Sequence, residues 1–77
     1  MINILFFARL QEEAGRESLH VEKAGYTIRE LKEWLDEEYR LTGLNRTMTA
    51  RNEEFTNDDA VIADGDTIAF IPPVSGG

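Results

Sequence analysis

The sequence predicts an α+β fold: a mixed sheet with one main helix packed on one of its faces. Three observations lead there. Residues 2–8, Ile2-Asn3-Ile4-Leu5-Phe6-Phe7-Ala8, are rich in β-formers and apolar at both parities, the pattern of a central strand covered on two faces. Thr27-Ile28-Arg29-Glu30 is a capping box, in which side chain and backbone of the first turn satisfy each other's exposed donors. Asp64-Gly65-Asp66 is a tight turn that launches a closing apolar strand over residues 67–71.

The elements between these anchors follow in order. Residues 12–16 turn the chain at Gly15. Residues 18–22 then alternate, with Leu19 and Val21 on one side and Ser18, His20 and Glu22 on the other, so a hairpin with the first strand is expected. From Ile28 to about Arg40, the residues Ile28, Leu31, Leu35 and Tyr39 recur at helical spacing; Trp34 widens the stripe, charges occupy the other side, and Tyr26 is placed to staple onto Leu31. After Gly43 the pattern returns to extended segments at residues 47–51, a turn at Asn52-Glu53, a short piece through Phe55, and residues 60–62. A hairpin, a crossing helix and a last strand that returns beside the first make the β-grasp arrangement, with both termini's strands at the sheet centre. Residues 1–77 are expected to form one such domain, with residues 72–77 as an extended, flexible tail.

Composition narrows the function. The chain has no cysteine, which excludes an internal thiol nucleophile and a thiolate metal site and fits a reducing compartment. With 15 acidic and 8 basic residues, the net charge of −7 argues against nucleic acid and anionic membrane and favours a partner with a basic surface. The apolar opening ends at Arg9 and has no basic leader, so a cytoplasmic protein is expected.

The C-terminal end carries the strongest chemical signal. Pro72 and Pro73 cannot continue a ladder, so the strand should stop at Ile71 and the chain should leave as an arm, Val74-Ser75-Gly76-Gly77. Six residues, Pro72 to Gly77, reach about 20 Å when extended. Glycine has no Cβ, so such an end enters a slot too narrow for other residues, and its reactive group is the terminal carboxylate. Alternation supplies a second feature. If Ile2, Ile4, Phe6, Ile68 and Phe70 meet the helix, then Leu5, Phe7, Ala69 and Ile71 face the other way, where a single helix cannot cover them. That patch beside the tail is a candidate partner interface unless residues 12–16 shield it.

Other constellations read as structural. His20 has no metal-ligating companion, Glu37-Glu38 and Asp58-Asp59 point apart as neighbours do, and the glycines at 25, 43 and 65 lack phosphate-loop spacing. No metal site and no cofactor bound by this chain are expected.

The residues Ile4-Leu5-Phe6-Phe7-Ala8-Arg9-Leu10 with Gly15, the capped helix, Asp64-Gly65-Asp66 and the closing Phe70-Ile71-Pro72-Pro73-Val74-Ser75-Gly76-Gly77 resemble the small subunit of molybdopterin synthase, a sulfur carrier of the ubiquitin-like superfamily. The resemblance covers the whole chain. It implies that the Gly77 carboxylate is adenylated with ATP by a separate ubiquitin-activating-type enzyme and converted to a thiocarboxylate. Pro72, Pro73, Val74, Ser75 and Gly76 would thread into the large synthase subunit, in an assembly of two small and two large subunits. The sulfur would then pass to a cyclic pyranopterin monophosphate in molybdenum cofactor biosynthesis, so the chain would be a sulfur-donating subunit of a transferase complex, without a complete active site. Arg51 stands where this family usually has an aliphatic residue. A Gly-Gly end also serves ubiquitin-like protein modifiers and the sulfur carrier of thiazole synthesis, and with only Lys23 and Lys32 the chain has few acceptors for polymeric tagging.

Overall fold

The computed structural model describes residues 1–41 and 43–72. Five strands form one mixed sheet in the order β2-β1-β5-β3-β4. They are β1 (Ile2–Phe6), β2 (Ser18–Val21), β3 (Met48–Arg51), β4 (Glu54–Thr56) and β5 (Thr67–Ile71), accompanied by helices α1 (Arg9–Ala14) and α2 (Ile28–Tyr39). The first and last strands pair in parallel at the centre, Ile4 opposite Ile68 and Phe6 opposite Phe70. β2 and β3 run antiparallel to them on either side.

Period-two alternation places Ile2, Ile4, Phe6, Ile68 and Phe70 on one face, each at most 2% exposed. Against them lie Ile28, Leu31 and Leu35 of α2, with Leu10, Leu41, Leu44 and Ile62 closing the rim of the core. The helix starts where the capping box directs: the Thr27 N–H donates to Glu30 Oε1 at 2.9 Å, and the Glu30 N–H donates to Thr27 Oγ1 at 3.2 Å. Trp34 is half-buried at the edge of the stripe and meets Tyr39 edge-on, ring centroids 5.8 Å apart.

The structure corrects and extends the sequence reading. β1 ends at Phe6; the chain does turn at Gly15, in the left-handed region at φ 75°, and β1 and β2 do pair antiparallel, but their connection contains a short helix, Arg9–Ala14, that buries Leu10. Burial of one leucine, rather than periodicity, holds this six-residue helix, so its pattern is too short to read. Residues 60–62 form no ladder; they contribute an isolated bridge, Thr27 with Val61. Before β3 the chain makes a 3-10 turn, Leu44–Arg46. Finally, α2 does not keep all its charges outward. Lys32 is buried, its Nζ 2.9 Å from Asp58 Oδ1, which satisfies the ammonium at the rim of the core.

Arg51 has a structural role. It pairs with Ile68, on the helix side of the sheet, and its Nη1 donates to the Val61 carbonyl at 2.9 Å, tying β3 to the segment that caps the core. An aliphatic residue would leave that carbonyl without the guanidinium.

The β3–β4 turn is tight, with Arg51 opposite Glu54 and positive φ at both Asn52 (52°) and Glu53 (71°). This is type I′ geometry, matched to strand twist, and its second position favours glycine. Glu53→Gly should therefore raise stability by about 1 kcal/mol, read in thermal unfolding as an upward shift of about 4–8 °C.

Candidate functional site

The face of the sheet away from α2 is open. Across it, Leu5 pairs with Ala69, Ala69 with Ala50, and Ala50 with Phe55, so four strands contribute one lateral row. The two alanines form a low floor between larger residues. Ala50 is buried, Phe55 and Phe7 are 65% and 43% exposed, and the depression between them, closed at one end by Ile71, has a volume of about 600 Å³. Beyond that row Ile71 pairs with Met48, which is 48% exposed. The helix α1 does not cover this groove; its buried residue, Leu10, turns into the core on the opposite side.

Polarity changes along the groove. At the far end Asn3 pairs with Thr67, and Asn52 clasps Thr67 in both directions: the Asn52 N–H donates to the Thr67 carbonyl at 2.8 Å, and the Thr67 N–H donates to Asn52 Oδ1 at 2.9 Å. Asn52 Nδ2 also donates to Asp66 Oδ1 at 2.9 Å, while Asp66 Oδ2 accepts the Ala63 N–H at 2.8 Å. Gly65, at φ 88°, makes that turn possible. The other end, where β5 runs out at Ile71 and Pro72, is apolar. The chain therefore leaves the sheet beside exposed Phe7 and Met48.

The four expected interface residues, Leu5, Phe7, Ala69 and Ile71, all lie on this face. Pro72 follows β5 and is half-buried. The remaining expected site residues, Pro73, Val74, Ser75, Gly76 and Gly77, lie outside the described residues. Sequence reasoning missed Met48, Ala50 and Phe55. Their signal was the Asn52-Glu53 turn: an antiparallel hairpin there puts Ala50 opposite Phe55, and alternation carries Met48 to the same face.

The other candidates keep structural roles. His20 is exposed on β2, and among the described residues no group of three His, Cys, Asp or Glu is placed to hold a metal ion. Asp58 and Asp59 diverge, Asp58 to Lys32 and Asp59 to Arg29 at 2.8 Å. The Asp59 carboxylate raises the Arg29 pKa. Among the described residues no helix is long and apolar enough to cross a membrane.

A mixed five-strand sheet grasping one main helix, with parallel terminal strands at its centre, defines a ubiquitin-like β-grasp domain. The model of the ThiS family matches residues 4–77. A molybdopterin synthase sulfur carrier subunit from Escherichia coli (strain K12) is 31% identical over the whole of both chains. Among solved structures, SAMP1 from Haloferax volcanii superposes with a TM-score of 0.83 at 25% identity, covering 99% of this chain and 98% of that one. A chain of the complex of subunits 1 and 2 of the molybdopterin-converting factor from Helicobacter pylori 26695 gives 0.72 at 27% identity, covering 99% and 97%. The chain belongs to the ThiS family and is similar throughout to molybdopterin synthase sulfur carrier subunits.

The clasp at the polar end of the groove has a pH signature. Hydrogen bonds from the Ala63 N–H and Asn52 hold Asp66 below the usual carboxylate pKa. A carboxyl with a depressed folded-state pKa adds stability above its unfolded value, and that contribution is lost as pH falls through the folded value. Acid unfolding should therefore show a component below about pH 4 that Asp66→Asn flattens, measured as thermal stability against pH.

Proposed function

We propose that this chain is the sulfur carrier subunit of a molybdopterin synthase. The observation that carries the reading is the likeness over the whole length to relatives of that name, taken together with the Gly76-Gly77 end. In this reading the Gly77 carboxylate attacks the α-phosphate of ATP on a separate ubiquitin-activating-type enzyme, releasing pyrophosphate. The acyl-adenylate has a good leaving group, which a carboxylate lacks, so a sulfur donor displaces AMP and leaves a thiocarboxylate. That end donates its sulfur to a cyclic pyranopterin monophosphate in the large subunit, which supplies the phosphate-binding and acid-base groups. Two sulfurs in the product require two charged carriers, in keeping with an assembly of two small and two large subunits.

The open face supports this reading. A carrier has to hold its partner firmly while its terminal group stays free to react. The apolar groove lies beside the point of chain exit, so docking there would aim residues 72–77 without engaging Gly77. The Helicobacter pylori relative is known as one subunit of a two-subunit complex, which favours a large-subunit partner here. A second reading, a ubiquitin-like modifier joined through Gly77 to lysines of other proteins, draws on the likeness to SAMP1, whose name stands for small archaeal modifier protein 1, and needs the same activated end.

Phe7→Asp tests the docking face. Because Phe7 is 43% exposed, the domain should stay folded, its stability changing by no more than about 0.5 kcal/mol. A carboxylate pressed into an apolar contact should weaken binding to the large subunit by roughly a hundredfold or more in calorimetry. Unchanged affinity would place the interface elsewhere.

Deletion of Gly77 tests the chemistry. The fold should survive, while the reactive carboxylate retreats by roughly 3.5 Å, and misplacement of even about 1 Å costs a hundredfold in rate. Product formation in the reconstituted synthase should disappear. Normal product from the truncated chain would refute the carrier reading.

A further inference from the structure

Both lysines of the chain, Lys23 and Lys32, are engaged by the fold. The Lys32 side chain is 9% exposed and pairs with Asp58. Asp58 is itself held in place by backbone bonds: the Arg29 N–H donates to its carbonyl, and the neighbouring Ile28 N–H donates to Ala60, each at 3.0 Å. Lys23 is half-buried, with its Nζ 4.9 Å from the Tyr26 ring centroid and 4.6 Å from that of Trp34. Two ring faces hold this ammonium by cation–π attraction.

Resting on the reading of Gly77 as an activated end, we propose that the fold withholds both lysine amines from acylation by other copies of the same chain. The step withheld is simple. A neutral lysine nitrogen attacks the terminal carbonyl carbon of an acyl-adenylate; a C–N bond forms, the C–O bond to the phosphate breaks, AMP leaves with the electron pair, and the nitrogen gives up a proton to solvent. The product would be an isopeptide-linked pair of chains with its carrier end consumed. An exposed lysine presents its nitrogen freely. Here each nitrogen must first leave a carboxylate or a pair of ring faces. The activated end thus meets its sulfur donor without a competing acceptor on its neighbours' side chains.

The test uses the full-length protein and an N-hydroxysuccinimide ester of acetic acid as acyl probe. Rates at each lysine are read by peptide mass spectrometry, with the amine introduced by Glu37→Lys on the exposed side of α2 as reference. Lys32 should react about tenfold or more slowly than the reference, because it has to wait for local opening, and Lys23 severalfold more slowly. Asp58→Ala should speed Lys32 alone, and Tyr26→Ala should speed Lys23 alone. Either lysine reacting as fast as the reference would overturn the proposal. In a second arm the host's adenylating enzyme and ATP are added. Wild type should release pyrophosphate and form no lysine-linked pairs, whereas Glu37→Lys should form them; pairs through Lys23 or Lys32 in wild type would also overturn it. Absence of pyrophosphate release would instead refute the reading of Gly77, and with it the role, whatever the probe rates at the two lysines.

Discussion

The parallel pairing of β1 with β5 is the constraint from which the other features follow. Register Ile4 to Ile68 and Phe6 to Phe70 puts five large apolar side chains on one face of two adjacent strands, where α2 covers them and Leu10, Leu41, Leu44 and Ile62 complete the core. Because alternation is strict, the same register fixes Leu5, Ala69 and Ile71 on the opposite face. A slip of one residue would bury the second set and expose the first. Core and open face are thus one choice made once.

The rest of the sheet elaborates that choice. The β3–β4 hairpin extends the open face laterally with Ala50 and Phe55, and the small alanines at its centre turn a flat surface into a groove. Asn52, Thr67 and Asp66 lock the end of the groove where β5 begins, while the chain departs from the apolar end where β5 stops. The segment through Asp58 and Val61 is fastened to α2 and β3 by Lys32, Arg29 and Arg51. Those contacts leave the groove and the chain exit untouched.

Elements long enough to show a period, or marked by unambiguous caps and turns, were legible in the sequence. The capping box at Thr27, the stripe Ile28, Leu31, Leu35, and the Asp64-Gly65-Asp66 launch of β5 all appear as read. Helix α1 was not legible, because six residues around one buried leucine carry no period. Its charge groups Lys32 with the outward residues of α2, and its partner, Asp58, lies 26 positions away, beyond any local pattern. The groove was half legible: alternation along β1 and β5 gave its floor and one wall, but Ala50 and Phe55 join only through a pairing between distant segments. Residues 73–77 lie outside the described residues, so the case for their chemistry rests on their composition and on likeness to relatives.

The proposed carrier separates two tasks that many proteins combine. Its folded part would provide recognition through an apolar surface, and its reactive group would be an atom at the end of the chain, so neither the core nor any side-chain constellation is asked to perform chemistry. The most direct test is the mass of the intact protein and of its C-terminal peptide, isolated from a host that is making molybdenum cofactor. The expected result is a fraction in which one oxygen of the Gly77 carboxylate is replaced by sulfur. A population found only as the plain carboxylate, or mainly as isopeptide-linked adducts of other proteins, would contradict it.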